Sequence, residues 1–186
     1  MTHAEMMGYN DKPRMDNFSI GDKIIYPNQG IGVIEDIQKE NYFGQEFRVY
    51  HLRIVSNDTK ILVPSSNAEE IGIRRLITRD DIQQVYDFIR SGTVDVSMNW
   101  KGRYKEHLNL MKTGSILDMA VVLKSLFYLN LIKPLSFREK KMMEKAKELL
   151  VTEISEVTEL SADSTEQQLL AHLHQCYQEG TGHLDS

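Results

Sequence analysis

A single cysteine, Cys176, stands in these 186 residues, so no disulfide can form within the chain. A reducing compartment fits such sparing use. No run is apolar for long enough to span a bilayer. The longest such stretch, around 116–123, is broken by Asp118 and followed by Lys124. The first seventeen residues are polar and charged, without the apolar centre of a signal peptide. A cytoplasmic protein with no membrane attachment is expected. Catalytic signatures are missing too. There is no Gly-x-Ser-x-Gly elbow, and the carboxylates are not gathered near a histidine. Gly30-Ile31-Gly32 lacks the following helix that a phosphate-binding loop needs, so its glycines are read as turn residues with positive φ. No enzyme, cofactor or small-molecule substrate is expected.

The charges that are present are segregated. Lys and Arg number 22 against 27 Asp and Glu, for a formal net charge of −5. Residues 1–98 hold 11 against 15, residues 99–147 hold 11 against 4, and residues 148–186 hold none against 8. The average therefore hides a block of net +7 between acidic flanks of −4 and −8. An acidic total excludes a general DNA-coating protein, because unspecific binding is driven by net positive charge. It leaves room for a local basic face.

Hydrophobic periodicity divides the chain in two. Residues 1–17 have no periodicity and read as a disordered lead. From Phe18, short β-branched and aromatic runs predict strands at about 22–26, 31–39, 46–55 and 59–63, with a last short one near 71–75. Turn signals at 27–30, 42–44 and 56–58 separate them. Short strands in series suggest a small antiparallel barrel over 18–75. After Arg75 the period becomes helical. Thr78 with Asp80 and Asp81 starts one helix, which Ser91-Gly92 ends. A polar connection follows, and Asn99 caps a helix that Thr113-Gly114 stops. Ser115 caps the next, with Leu117, Ala120, Val121, Leu123, Lys124 and Phe127 inside, and Lys133-Pro134 ends it. Ser136-Phe137-Arg138-Glu139 is a capping box opening a helix to about Val157. A final helix starts at Ser164 or Thr165 and runs to about Tyr177. The fold class is α+β in two domains, a β-barrel at 18–75 and an all-helical domain at 76–180, with a tail at 181–186.

Two clusters invite a chemical reading. His172 and Cys176 share a helix face at i, i+4, but two ligands do not complete a zinc site, and His174 points elsewhere. With His183 in the tail, this is read as an ordinary helix face and no metal is expected. The basic block is the second cluster. Its cations can be solvated helix faces, the usual meaning of a charge run. Against that, the acids available for i, i+4 pairing there are few: Glu106, Asp118, Glu139 and Glu144. Trp100 opens the block, in Asn99-Trp100-Lys101-Gly102-Arg103-Tyr104-Lys105. Its ring can plug a domain core. It can equally wedge into a minor groove at a loosened step while the cations hold phosphates. Composition leaves both readings open.

The order of parts resembles the CarD-like transcriptional regulators. Gly21-Asp22-Lys23-Ile24-Ile25-Tyr26-Pro27-Asn28-Gln29-Gly30-Ile31-Gly32-Val33-Ile34 is similar to that family's opening. It is similar also to the opening of the polymerase-interaction domain in the transcription–repair coupling factor. Val63-Pro64, Asn67 and Gly72-Ile73-Arg74 resemble the end of the same module. Trp100 to Lys105, then Leu108 and Gly114, resembles the DNA-contacting stretch of the stand-alone regulators, and Glu139-Lys140 with Ala146-Lys147-Glu148-Leu149-Leu150 resembles their long later helix.

The resemblance implies an SH3/Tudor-like barrel that binds the RNA polymerase β subunit by adding its sheet edge to a strand of the partner. It implies a helical domain whose tryptophan enters the minor groove at the upstream edge of the melted promoter and prolongs the open complex, without sequence-specific readout. Trp100 maps to that tryptophan, with Lys101, Arg103, Tyr104 and Lys105 as its DNA-contacting companions. Relatives carry polymerase-facing arginines where this chain has Lys39 or Glu40, and Leu62. Arg48, Arg53 and Lys60 are the nearby cations and complete the expected polymerase-binding set. A monomer is expected. The rival is a protein-interaction adaptor whose helices never touch DNA.

Overall fold

The computed structural model describes residues 18–42, 45–91, 93–94 and 100–181, apart from the side chains of Tyr42, Gln45, Trp100 and residues 179–181. The expected lead at 1–17, the cap at Asn99, Gly92, His183 and most of the tail lie outside the described residues. The chain divides between Leu76 and Ile77 into two compact units.

The first unit is one antiparallel sheet. Its strands are β1 (Lys23–Tyr26), β2 (Gly30–Tyr42), β3 (Gln45–Ile54), β4 (Lys60–Pro64) and β5 (Arg74–Arg75), in the order β4-β3-β2-β1-β5. This is the antiparallel β module expected from the short β-branched and aromatic runs, with β4 and β5 as its edges. The β1–β2 turn places Asn28 at φ 61° and Gly30 at φ 98°, and the Gln29 N–H donates to the Tyr26 carbonyl at 3.0 Å. Gly32 is not a turn residue. It lies inside β2 opposite Ile24 and Ile54, where a Cβ would meet the Ile24 Cδ1 at 3.2 Å, so close packing is what its missing side chain serves. The last strand is shorter than expected. A 3-10 turn at Ser65–Asn67 and a one-turn helix α1 (Ala68–Ile71) occupy the preceding residues, and Gly72 at φ 84° closes that helix. Phe18, Ile24, Ile34, Tyr50, Leu52, Val63, Ala68 and Ile73 form the core.

The second unit holds α2 (Arg79–Ser91), α3 (Trp100–Thr113), α4 (Ile116–Ile132), α5 (Phe137–Thr158) and α6 (Ala162–Thr181). Thr78 and Asp81 cap α2 reciprocally, each backbone N–H donating to the other's side chain at 2.7 and 3.3 Å. Ser115 caps α4 and Ser136 caps α5 with Glu139 at its third position, as the sequence reading expects. The last helix begins earlier than expected. Ser161 Oγ accepts from the Ser164 N–H at 3.1 Å, and Thr165 is buried inside the first turns. Helix α4 is apolar on all sides, which marks a helix packed all round. Even its charged residues are interior. Lys124 is 1% exposed and donates from Nζ to the carbonyls of Phe88 (3.1 Å) and Ile89 (2.7 Å). Those are last-turn carbonyls of α2, which lack partners within their helix. Cys176 Sγ donates to a third, that of Arg90, at 2.9 Å. Burial pulls the Lys124 ammonium below its ordinary pKa. Lys124 is therefore removed from the basic block.

Candidate nucleic-acid interface

Helix α3 sorts its residues by face. Arg103, His107 and Met111 follow at i, i+4 and i+8, and all three are buried. Lys101, Lys105 and Lys112 run along the other side, all exposed, the first and last about three turns apart. Tyr104 and Leu108 are half-buried against the helical core.

Arg103 departs from the expected role. Its side chain is only 2% exposed, and Nη2 donates to Glu139 Oε1 at 2.5 Å. It faces inward and is unavailable to a phosphate. Glu139 is held in turn by the capping box. Ser136 donates to its Oε2 from N–H at 3.0 Å and from Oγ at 2.7 Å. Burial alone would raise the Glu139 carboxyl, but the hydrogen bonds from Arg103 and Ser136 outweigh it and hold the pKa below its usual value. His107, one turn from Arg103, is pushed down to about 4 by burial and by the adjacent guanidinium, so it is neutral at pH 7.

The buried pair joins the first turn of α3 to the first turn of α5. Around Glu139, α5 presents Phe137, Arg138, Lys140 and Lys141, all exposed. The Lys141 Nζ lies 4.7 Å from the centroid of the Phe137 ring. Among the described residues, Lys101, Lys105, Arg138 and Lys140 make no ion pair. Other cations of the helical unit are matched, Lys147 lying 2.8 Å from Glu144 and from Glu166 and Lys145 3.1 Å from Glu148, while Arg79, Lys112 and Lys133 make no ion pair among the described residues. Four unmatched cations thus share one corner, the joined starts of α3 and α5. Trp100 is the first residue of α3, and its side chain lies outside the described residues.

The six polymerase-side residues divide as well. Lys39 lies 3.3 Å from Glu46. Arg53 binds Glu35 at 2.5 Å and Asp58 at 3.2 Å, and Lys60 reaches Glu35 at 3.6 Å. The Arg53 hydrogen bond holds the Glu35 carboxyl below its ordinary pKa. These cations are members of a surface network and do not stand alone. Glu40 is half-buried on β2 and Arg48 exposed on β3. Leu62 is 59% exposed on edge strand β4, in register with His51, while Lys60 pairs with Arg53.

Comparison with known proteins decides what this arrangement belongs to. Residues 18–77 match the CarD-like/TRCF RID domain, and residues 84–170 match the CarD C-terminal domain. A putative transcription factor of Bacillus subtilis (strain 168), YdeB, is 31% identical over 137 residues, covering 74% of this chain and 90% of the relative. The chain belongs to the CarD-like transcriptional regulators. Membership of the CarD-like family ties it to transcription regulation by way of RNA polymerase interaction. No helix among the described residues of this CarD-like chain is long and apolar enough to cross a membrane.

Sequence reasoning about this CarD-like corner missed two residues. Glu139 was legible as a capping residue, but a contact spanning 36 positions leaves no local trace. Phe137 carried a signal. It lies off the stripe of Met142, Ala146 and Leu150 that α5 buries, so an apolar residue there has no core to enter.

Proposed function

We propose that this CarD-like regulator acts at promoters without catalysis. Its sheet binds the RNA polymerase β subunit through the β4 edge, and its α3–α5 corner contacts promoter DNA at the upstream edge of the bubble. Trp100 wedges into the minor groove there and prolongs the open complex. The observation that supports this most is the corner itself: unmatched cations on two helix starts, fixed to each other by a buried ion pair. Phosphate contacts of this kind position a protein without reading sequence. On the polymerase side, support comes from an edge strand that pairs with one neighbour only among the described residues, and from its exposed leucine, the requirements of β-augmentation.

The test is open-complex lifetime on a ribosomal-RNA-type promoter with the cognate polymerase. The wild-type protein lengthens it, and Trp100→Ala loses the lengthening while still retaining polymerase. Lys101→Gln with Lys105→Gln lowers the salt slope of the effect by about one for each phosphate that is no longer neutralised. Unchanged lifetimes with intact polymerase binding would favour the adaptor that never touches DNA. Loss of polymerase binding in Trp100→Ala would make the tryptophan structural.

A further inference from the structure

Phe137 is the most exposed of the large hydrophobic side chains among the described residues, at 72%. It is not a frayed residue. It occupies the first position of α5, directly after the Ser136 cap, and the capping box sets the backbone there. Two residues on, Glu139 is locked to Arg103 of α3. The ring is therefore presented at a fixed place beside the start of α3.

Its surroundings are cationic. Arg138 and Lys140 are exposed without an ion pair among the described residues, and Lys141 lies over the ring at 4.7 Å. Lys101 and Lys105 occupy the exposed face of the adjoining helix. An apolar protein surface gains nothing from meeting this many uncompensated cations, since each would have to be desolvated or matched. A polyanion with flat apolar faces fits both features at once: the phosphates take the cations and a base takes the ring.

We propose that Phe137 is a second aromatic contact to nucleic acid, stacking on a base that is unpaired at the junction of duplex and melted DNA. The inference rests on the functional reading above and extends it. The ring prefers the junction over continuous duplex, because a paired and stacked base has no free face to offer. Every base has such a face, so the contact carries no sequence preference.

The experiment titrates the full-length protein at low salt against a labelled fork-junction DNA and against the same duplex without the fork. Wild type, Phe137→Ala and Phe137→Tyr are compared. Phe137→Ala weakens fork binding by about fivefold or more, the equivalent of one stacked base at the low end. It leaves duplex binding unchanged, and Phe137→Tyr retains fork preference. Thermal melts of the three proteins coincide, because an exposed side chain is changed. Equal fork binding by wild type and Phe137→Ala overturns the proposal, as does a loss in Phe137→Ala that is the same for fork and duplex. So does an absence of DNA binding by the wild type. The open-complex assay reports separately: a lifetime that lengthens with wild type and equally with Phe137→Ala keeps the promoter reading and discards the stack. A fork preference that needs Phe137, with no effect on lifetime, does the reverse.

Discussion

Removing Arg103 separates the two roles a basic residue can play in this corner. The side chain is 2% exposed and its partner Glu139 7%, so the pair is held away from water. Breaking a buried pair from one side costs about 3–5 kcal/mol, because the remaining charge stays buried without compensation. Against a total stability of about 5–15 kcal/mol for a domain, that is a large share. For Arg103→Met, urea unfolding followed by far-ultraviolet circular dichroism gives a midpoint lowered by the equivalent of several kcal/mol. In thermal melts the same loss amounts to about 12 °C or more for a domain of this size. The loss is nearly independent of salt, since buried charges are little screened. Adding Glu139→Gln recovers much of it: the amide still accepts from Ser136 but carries no charge that needs a partner. The reasoning is refuted if Arg103→Met shifts stability by less than about 0.5 kcal/mol, the range of an ordinary surface substitution, while lowering the salt slope of DNA binding as Lys101 or Lys105 would.

Acid loosens the same corner. The pKa of buried His107 lies near 4 against 6.5 for a free histidine, so the unfolded chain takes up a proton that the folded one resists. Stability is full above about pH 6.5 and falls between 6.5 and 4, by up to about 3 kcal/mol. Urea midpoints measured from pH 7 to 4.5 fall for the wild type and flatten for His107→Met; parallel slopes in the two proteins would show that another group titrates. On the polymerase side, Leu62→Asp leaves the fold within about 0.5 kcal/mol of wild type, because the residue is exposed. It weakens retention of polymerase in pull-down by about fivefold or more, the mark of an interface hot spot. Unchanged retention would move the docking surface away from the outer face of β4.

Elements whose signals are local were legible in the residues themselves. The capping residues Thr78, Ser115 and Ser136 sit where they start a helix by hydrogen bonds within three residues. Strand positions followed from short β-branched and aromatic runs set between turn signals. Gly32 misled because glycine serves two ends, positive φ and close approach, and only the packed neighbour Ile24 distinguishes them. Arg103 misled, whereas Lys124 was placed inside its helix by periodicity although it also counted toward the basic block. A charge count assigns every cation to the surface, whereas each of these ends on a distant acceptor: Glu139 in one case, the α2 carbonyls in the other. The final helix started early because Ser161 outcompetes Ser164 as a cap, and the buried Thr165 favours that register.

Taking Arg103 and Lys124 out of the basic surface sharpens the electrostatics. The corner keeps Lys101, Lys105, Arg138, Lys140 and Lys141 outward and uses the interior Arg103 to join α3 to α5, while Lys124, away from the corner, finishes α2. On the proposed reading, that division matters for a chain of net charge −5, whose whole-molecule field opposes DNA. Weak affinity for free DNA is then expected, and occupancy at a promoter must come from polymerase, which turns the DNA contact into an intramolecular event at high effective concentration. Under tethering, the net charge ceases to decide the outcome and local geometry takes over. A few phosphate contacts suffice if their spacing is fixed beforehand, because little ordering remains to oppose binding. The inward-facing arginine contributes more to such a contact by holding two helix starts together than it would by adding one more positive charge at the surface.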